Sequence, residues 1–328
     1  MTKYLPASAV VVLTLALFAS PGHAQDRRIP RTPDGRPDLQ GLWANDTATP
    51  LERPKEANGR TSFTEQEAKD YESRYQIDRT VALSRNKSFE LDASAGDLDT
   101  YEPGHLLPGR LTAMIVDPPT GLVPALTPEA QRRFTERNQH LEEHYAENPE
   151  DLRPAERCLI VANAYVPPLM PAFYNNTLQI VQTRDAVMIL SEQIHDARVI
   201  SLTRRTHLPS SIQPWAGDSI GRWEGDVLVV DTTNFSPRTT LRGSGTGLHL
   251  VERFSVKDAN TISYEFTVDD PASFTRPWTA RSAFTRTPGP LFEYACQEAN
   301  YSMSNILSGA RFQERQKAAG TPARDTSK

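Results

Sequence analysis

Apolar and polar positions alternate over most of the second half of the chain. From about Thr177, the runs TLQIVQT, AVMILSEQIHDARVISL, DVLVVDTTNF, LHLVERFSV, TISYEFTV, WTARSAFTRT and LFEYACQ are rich in β-branched and aromatic residues, with Gly, Pro, Asp and Asn between them. A period of two with turn residues at the breaks predicts strands. Several strands at this spacing without intervening helices predict a mainly β fold, an antiparallel barrel or open sandwich. The first half is polar and irregular, with GLW at 41–43 as its first core-like signal. Two helical windows interrupt it. SFTEQEAKDYESRYQ has a Ser62 or Thr64 cap and acids in its first turn, and LTPEAQRRFTERNQHLEEHYAEN has Thr127 at the cap and Pro128 at the first position. The expected organisation is a leader over 1–24, an irregular, partly helical region over 25–176 packed on the barrel, the barrel domain over 177–312, and a disordered tail over 313–328.

Strand faces select the candidate chemistry, because neighbouring side chains point to opposite sides. If residues 257–261 form a hairpin loop, Val256 faces Ile262, Phe254 faces Tyr264, and Glu252 falls opposite Phe266 on the apolar face. A carboxylate there must be neutral or paired. It is therefore either an acid/base group or half of an ion pair with an arginine such as Arg281 or Arg198. Read as one continuous strand, residues 186–202 place Glu192, Asp196 and Arg198 on one face with Met188 and Leu190, and His195 on the other; the even face is expected inward. An exposed edge strand carrying protective charge is the alternative. Asp231 shares a face with Val227, Val229 and Phe235, and Trp223 stands near a tight turn as either a barrel-floor plug or a stacking wall.

Composition narrows the field. The net charge is −5, from 36 basic and 41 acidic residues mixed along the chain, so there is no polybasic field for nucleic acid or an anionic membrane. Residues 1–24 carry an early Lys, an apolar run over about 7–19 and a small-residue cleavage site before Gln25, the pattern of a secretory signal peptide. The apolar run is shorter than the roughly 20 residues of a membrane span. In an oxidising compartment the two cysteines, Cys158 and Cys296, are expected to form a bridge. No Gly-x-Ser-x-Gly elbow, phosphate loop, dinucleotide fingerprint or His-Glu-x-x-His occurs, and His195, His207 and His249 have no metal-site spacing, so no metal or cofactor is expected.

In PDGRPDLQGLW, IHDARVISL, GRWEGDVLVVDTTNF, HLVERF, TVDDP, RPWTA and FEYACQEANYSMSNILSGAR, the chain resembles a large, little-characterised family of exported bacterial proteins. The resemblance spans nearly the whole mature chain and implies export, with no catalytic residues to carry over. The GLW opening before antiparallel strands also looks like lipocalin-type barrels.

The expectation is a periplasmic or secreted, cofactor-independent enzyme, a lyase, isomerase or hydratase, acting on a hydrophobic or aromatic small molecule inside the barrel. Glu252 would be the acid/base, with Asp196, Asp231 or His195 assisting and Arg198 as an anion clamp. Tyr264, Phe266, Trp223, His249 and Glu192 would contact the substrate. The alternative is a binding or carrier protein without catalysis. The sequence sets no oligomeric state.

Overall fold

The computed structural model describes residues 29–85, 104–160, 166–171, 175–239, 241–298 and 300–319; the expected signal peptide lies outside them. Ten strands form one sheet among the described residues: β1 (Gly41–Ala44), β2 (Ile115–Asp117), β3 (Thr177–Gln182), β4 (Ala186–Ser191), β5 (Ala197–Ser201), β6 (Asp218–Glu224), β7 (Val227–Thr233), β8 (His249–Asp258), β9 (Thr261–Asp269) and β10 (Trp278–Arg286). The order is β1-β3-β4-β5-β6-β7-β8-β9-β10-β2, and β1 also pairs with β10. Nine strands therefore close a barrel, with β2 added outside β10. The open-sandwich alternative is excluded.

A ring of nine strands cannot alternate direction throughout, because an odd number leaves one neighbouring pair pointing the same way. That pair is β5 and β6, which are parallel and joined in the ladder at one position, Ser201↔Ile220. A parallel connection needs a crossover of a dozen or more residues, and residues 202–217 supply it outside the barrel. At this seam Gly221 takes the place of a side chain: a Cβ there would lie 2.8 Å from Ile200 Cγ2 and 2.8 Å from Leu202 Cδ2. At the other thin join, β1 meets β10 at Trp43↔Arg286 and Ala44↔Thr285. Gly41 opens β1 at φ 133°, a conformation side chains rarely adopt, and the Arg286 guanidinium stacks 4.3 Å from the Trp43 ring centroid.

The hairpin register read from alternation holds: Val256 pairs with Ile262, Phe254 with Tyr264 and Glu252 with Phe266. Inward residues fill the barrel with side chains. Trp43, Phe254, Tyr264, Phe266, Trp278 and Phe284 are at most 1 % exposed, and their rings pack with centroids 5.0 Å apart for Phe254–Tyr264 and Tyr264–Phe284 and 5.7 Å for Tyr264–Phe266 and Phe266–Trp278. Leu169, from the segment 166–171, is buried in the same core.

Several expected elements differ. The run over 186–202 is a hairpin: β4 and β5 pair antiparallel, Ile189 opposite Arg198, around a 3₁₀ turn at Gln193–His195 in which Ile194 has φ 60°. The turn resets the parity, so the odd face of β4 (Val187, Ile189) and the even face of β5 (Arg198, Ile200) both point inward. The barrel also reaches outside 177–312, since β1 comes from the N-terminal half. DSIGRWE is strand β6, whereas residues 291–297 hold no strand. Helices α1 (Glu65–Arg85) and α2 (Pro128–Glu143) match the two windows, and Thr127 Oγ1 accepts from Ala130 N at 3.2 Å as the cap of α2. Helix α3 (Tyr301–Ala318) continues through the beginning of the expected tail.

Cys158 and Cys296 are disulfide-bonded across a sequence separation of 138, and no described helix is long and apolar enough to cross a membrane.

Because Gly221 has no room to grow toward Ile200 and Leu202, Gly221→Ala is expected to cost about 1–3 kcal/mol by overpacking the seam, and Gly221→Val more. Urea titration followed by tryptophan fluorescence checks this; midpoints unchanged from the parent would show that the seam is compliant.

Candidate functional site

Two polar clusters stand out, one inside the barrel wall and one outside it. The inner one joins five consecutive strands. Glu252 on β8 is 0 % exposed and Arg198 on β5 is 8 % exposed. Arg198 Nη1 donates to Glu252 Oε1 at 3.0 Å, Nη2 donates to Glu252 Oε2 and to Thr232 Oγ1 at 2.8 Å, and Nε donates to Ser219 Oγ at 2.9 Å. Tyr264 on β9 donates its hydroxyl to Glu252 Oε1 at 2.7 Å and accepts the Leu169 N–H at 2.9 Å. Burial, then the Glu252 charge beside it, pushes the Tyr264 phenol well above its ordinary range, so it remains a donor.

Both Glu252 oxygens are thus held by fixed donors in a dry interior. The arrangement is a satisfied ion pair with the arginine that alternation had named as one possible partner, and its evident work is to tie β5 to β9. Tyr264 and Phe266 belong to the packed aromatic core rather than to an open wall. Trp223 faces inward at the barrel end, paired with Leu228, with the Arg36 guanidinium 5.7 Å from its ring centroid; this is the floor plug.

The expected grouping of Glu192, Asp196 and Arg198 on one face does not form, because the turn separates them. Glu192 is 3 % exposed and accepts the N–H groups of Thr177 at 3.2 Å and Phe292 at 3.0 Å. Asp196 is half-exposed in the turn, where its carbonyl accepts from Ser191 N at 2.9 Å. His195 lies in the same turn, with its side chain outside the described part of the structure.

The outer cluster is where the crossover meets the barrel. Asp231 shares its face of β7 with Val227 and Val229 as expected, but that face is the outer one; Leu228, Val230 and Thr232 point inward, opposite Phe254, Glu252 and Leu250. Asp231 Oδ1 lies 2.9 Å from His207 Nε2, and its Oδ2 lies 3.0 Å from His249 Nε2. The far nitrogen of His207, Nδ1, is 2.9 Å from Asp218 Oδ2. Asp218 also accepts from Leu208 N at 3.0 Å and from Arg204 Nη2 at 2.6 Å and Nη1 at 3.1 Å. The chain Arg204–Asp218–His207–Asp231–His249 alternates basic side chains with carboxylates. Side-chain exposure is 34 % at Arg204, falls to 5 % at Asp218, and rises from there to 22 % at His207, 26 % at Asp231 and 38 % at His249.

Burial pushes both carboxyls up, but their donors prevail. The Arg204 pair, the Leu208 N–H and His207 bring Asp218 down to about 2, and His249 with His207 hold Asp231 below the usual carboxylate range. His249 Nδ1 has no hydrogen-bond partner among the described residues. An oriented imidazole with one nitrogen on a carboxylate and the other open can accept and return a proton. Sequence reasoning named Asp231 and His249, considered His207 only as a metal ligand without a recognised spacing, and gave Arg204 and Asp218 no role. Their signal was weak: they lie in or beside a polar loop, and only the crossover brings His207 to Asp231.

No protein-family profile matches the chain, and no curated protein matches it significantly. Among solved structures, one match is the crystal structure of the fluorescent protein UnaG N57A mutant, at 16% identity and a TM-score of 0.22, covering 34% of this chain and 72% of that one.

Removing one member of the inner pair strands the other in a dry interior. Glu252→Met or Arg198→Met alone is expected to cost about 3–5 kcal/mol, and the double variant Arg198→Met/Glu252→Met to regain most of it. Chemical denaturation of the three variants would expose an additive cycle, which would contradict the pairing. Asp218 adds a pH dependence. Its folded value of about 2 lies below its ordinary 3.8, so it contributes about 2 kcal/mol above pH 4, lost as the pH falls from about 4 toward 2. Asp218→Asn should flatten the unfolding free energy over that window; an undiminished slope would locate the acid sensitivity elsewhere.

Proposed function

We propose that this is an exported enzyme that uses its own side chains for acid/base chemistry on a hydrophobic or aromatic small molecule, of the lyase, isomerase or hydratase type, at the outer rim of the barrel. The observation that carries the reading is the Asp231–His249 pair, in which a carboxylate held ionised fixes one nitrogen of a solvent-accessible imidazole whose other nitrogen is open. Asp231 orients the ring, and His249 Nδ1 exchanges the proton with substrate. His207, Asp218 and Arg204 hold Asp231 in place through the crossover.

The apolar contact comes from the same loop. Leu208 follows His207 directly and is 37% exposed, and Ile212 is 47% exposed, so the crossover offers exposed apolar side chains on the loop that carries His207. The solid interior argues against a substrate site among Tyr264 and Phe266, and therefore against Glu252 as the acid/base. Export is supported by the Cys158–Cys296 disulfide and by the leader pattern of residues 1–24; the expected location is the periplasm or the medium.

The test is an untargeted turnover screen, in which the exported protein is incubated with a small-molecule extract and the mixture followed by mass spectrometry. At least one component should be consumed, and His249→Gln and Asp231→Asn should each slow its loss by about 100-fold or more while the thermal midpoint of His249→Gln stays near that of the parent. Consumption at the parental rate in both variants would discard the site. A component retained unchanged on the protein would replace the enzyme with a carrier.

A further inference from the structure

The outer face of β8, β9 and β10 carries a second built feature, well away from the Asp231–His249 pair. His249 and Lys257 lie at opposite ends of the outward row of β8, which continues through Val251, Arg253 and Ser255 and spans roughly 25 Å at a strand's rise per residue. Around its lower half is a shallow cavity of about 310 Å³ lined by Arg253, Ser255, Lys257, Ser263, Glu265 and Arg281. Every lining side chain is polar, and three are cationic against one carboxylate.

The register explains how they converge. Ser255 is directly opposite Ser263, and Glu265 stands between Arg253 on one side and Arg281 on the other. The ladder slips between Val256 and Asp258, so Lys257 is the extra residue of a β-bulge. A bulge re-aims the side chain it carries and is enriched beside functional sites; here Lys257 lines the cavity with the row of Arg253 and Ser255. Arg281 Nε donates to Glu265 at 2.6 Å and Arg253 Nη1 donates to Glu224 at 3.1 Å, which leaves further N–H groups on both guanidinium forks. The Lys257 ammonium and the hydroxyls of Ser255 and Ser263 have no partner among the described residues.

Stability gives no account of this concentration of donors. The ion pairs are exposed, with side chains 56% and 28% accessible for Arg281–Glu265 and 40% for both members of Arg253–Glu224, and pairs of that kind contribute little. The strands are interior members of a closed ring, so the charges are not guarding an edge. What the set does match is a tetrahedral oxyanion: an ammonium, two facing hydroxyls and two guanidinium forks around a hollow of small-molecule size.

We propose that this face binds a phosphate or sulfate group, free or as the ester of a larger molecule, with Lys257, Ser255 and Ser263 as direct donors and Arg253 and Arg281 as flanking cations. The site is independent of the acid/base reading.

The test is isothermal titration of the exported protein with inorganic phosphate and, separately, inorganic sulfate, each against sodium chloride at equal ionic strength. Saturable binding of one or both anions is expected. Lys257→Met should weaken it at least tenfold, Ser255→Ala/Ser263→Ala should weaken it severalfold, and Lys69→Met, which removes the same charge from α1, should leave it within twofold. Lys257 is exposed, so its removal should leave the fold intact, and circular dichroism checks that. Heat no greater than that of chloride, or equal affinities for Lys257→Met and Lys69→Met, would overturn the proposal.

Discussion

The Arg198–Glu252 pair stands where the barrel is geometrically weakest. Nine strands in a ring oblige one parallel join, and the backbone ladder there is a single position, Ser201↔Ile220. The guanidinium of Arg198 reaches across that seam to Ser219 on β6, Thr232 on β7 and Glu252 on β8, and Tyr264 extends the network to β9. Side chains thereby supply the cross-strand hydrogen bonds that the backbone does not. A buried ion pair adds little net stability over a well-packed apolar replacement. Its contribution here is selection: a charged group on β5 is satisfied only when β6, β7 and β8 arrive in this register.

That constraint separates inside from outside. Polar groups of the inner belt are matched to one another and shielded by aromatic rings, so the interior is a packed wall. The outer surface is where titratable groups meet solvent, and the crossover required by the parallel join carries His207 to Asp231. The loop that the strand count makes necessary is thus also the one that assembles the exposed acid/base chain.

The parts legible in the sequence were those fixed by local periodicity. Alternation placed Glu252 opposite Phe266 and Phe254 opposite Tyr264, and the Thr127–Pro128 start of α2 and the Cys158–Cys296 bridge were equally readable. The hairpin hidden in SEQIHDARV was not. Its turn contains no Gly, Pro or Asn, and Ile194 carries the left-handed conformation that such residues usually provide, so the pattern reads as one continuous strand; the inward even face then holds for Arg198 and Ile200 on β5 and fails on β4, where Val187 and Ile189 point inward instead of Met188 and Leu190. DSIGRWE, with Gly221 at its centre, lacks the β-branched richness of its neighbours; its glycine is there because Ile200 and Leu202 occupy the space. The outer cluster depends on contacts between the crossover and two strands, which no periodicity encodes.

The disulfide encloses β3 to β10, eight of the nine staves, within one covalent loop. β1 lies outside that loop, far earlier in the chain, yet it alone bridges β3 and β10. The ring is therefore completed by a strand from outside the disulfide loop, paired on both of its edges. In topological terms β1 is a keystone delivered by a long tether, and the entropy of that tether grows only logarithmically with its length. Exposed loops between β1 and β3, outside α1, β2 and α2, can consequently accept insertions at small thermodynamic cost to closure.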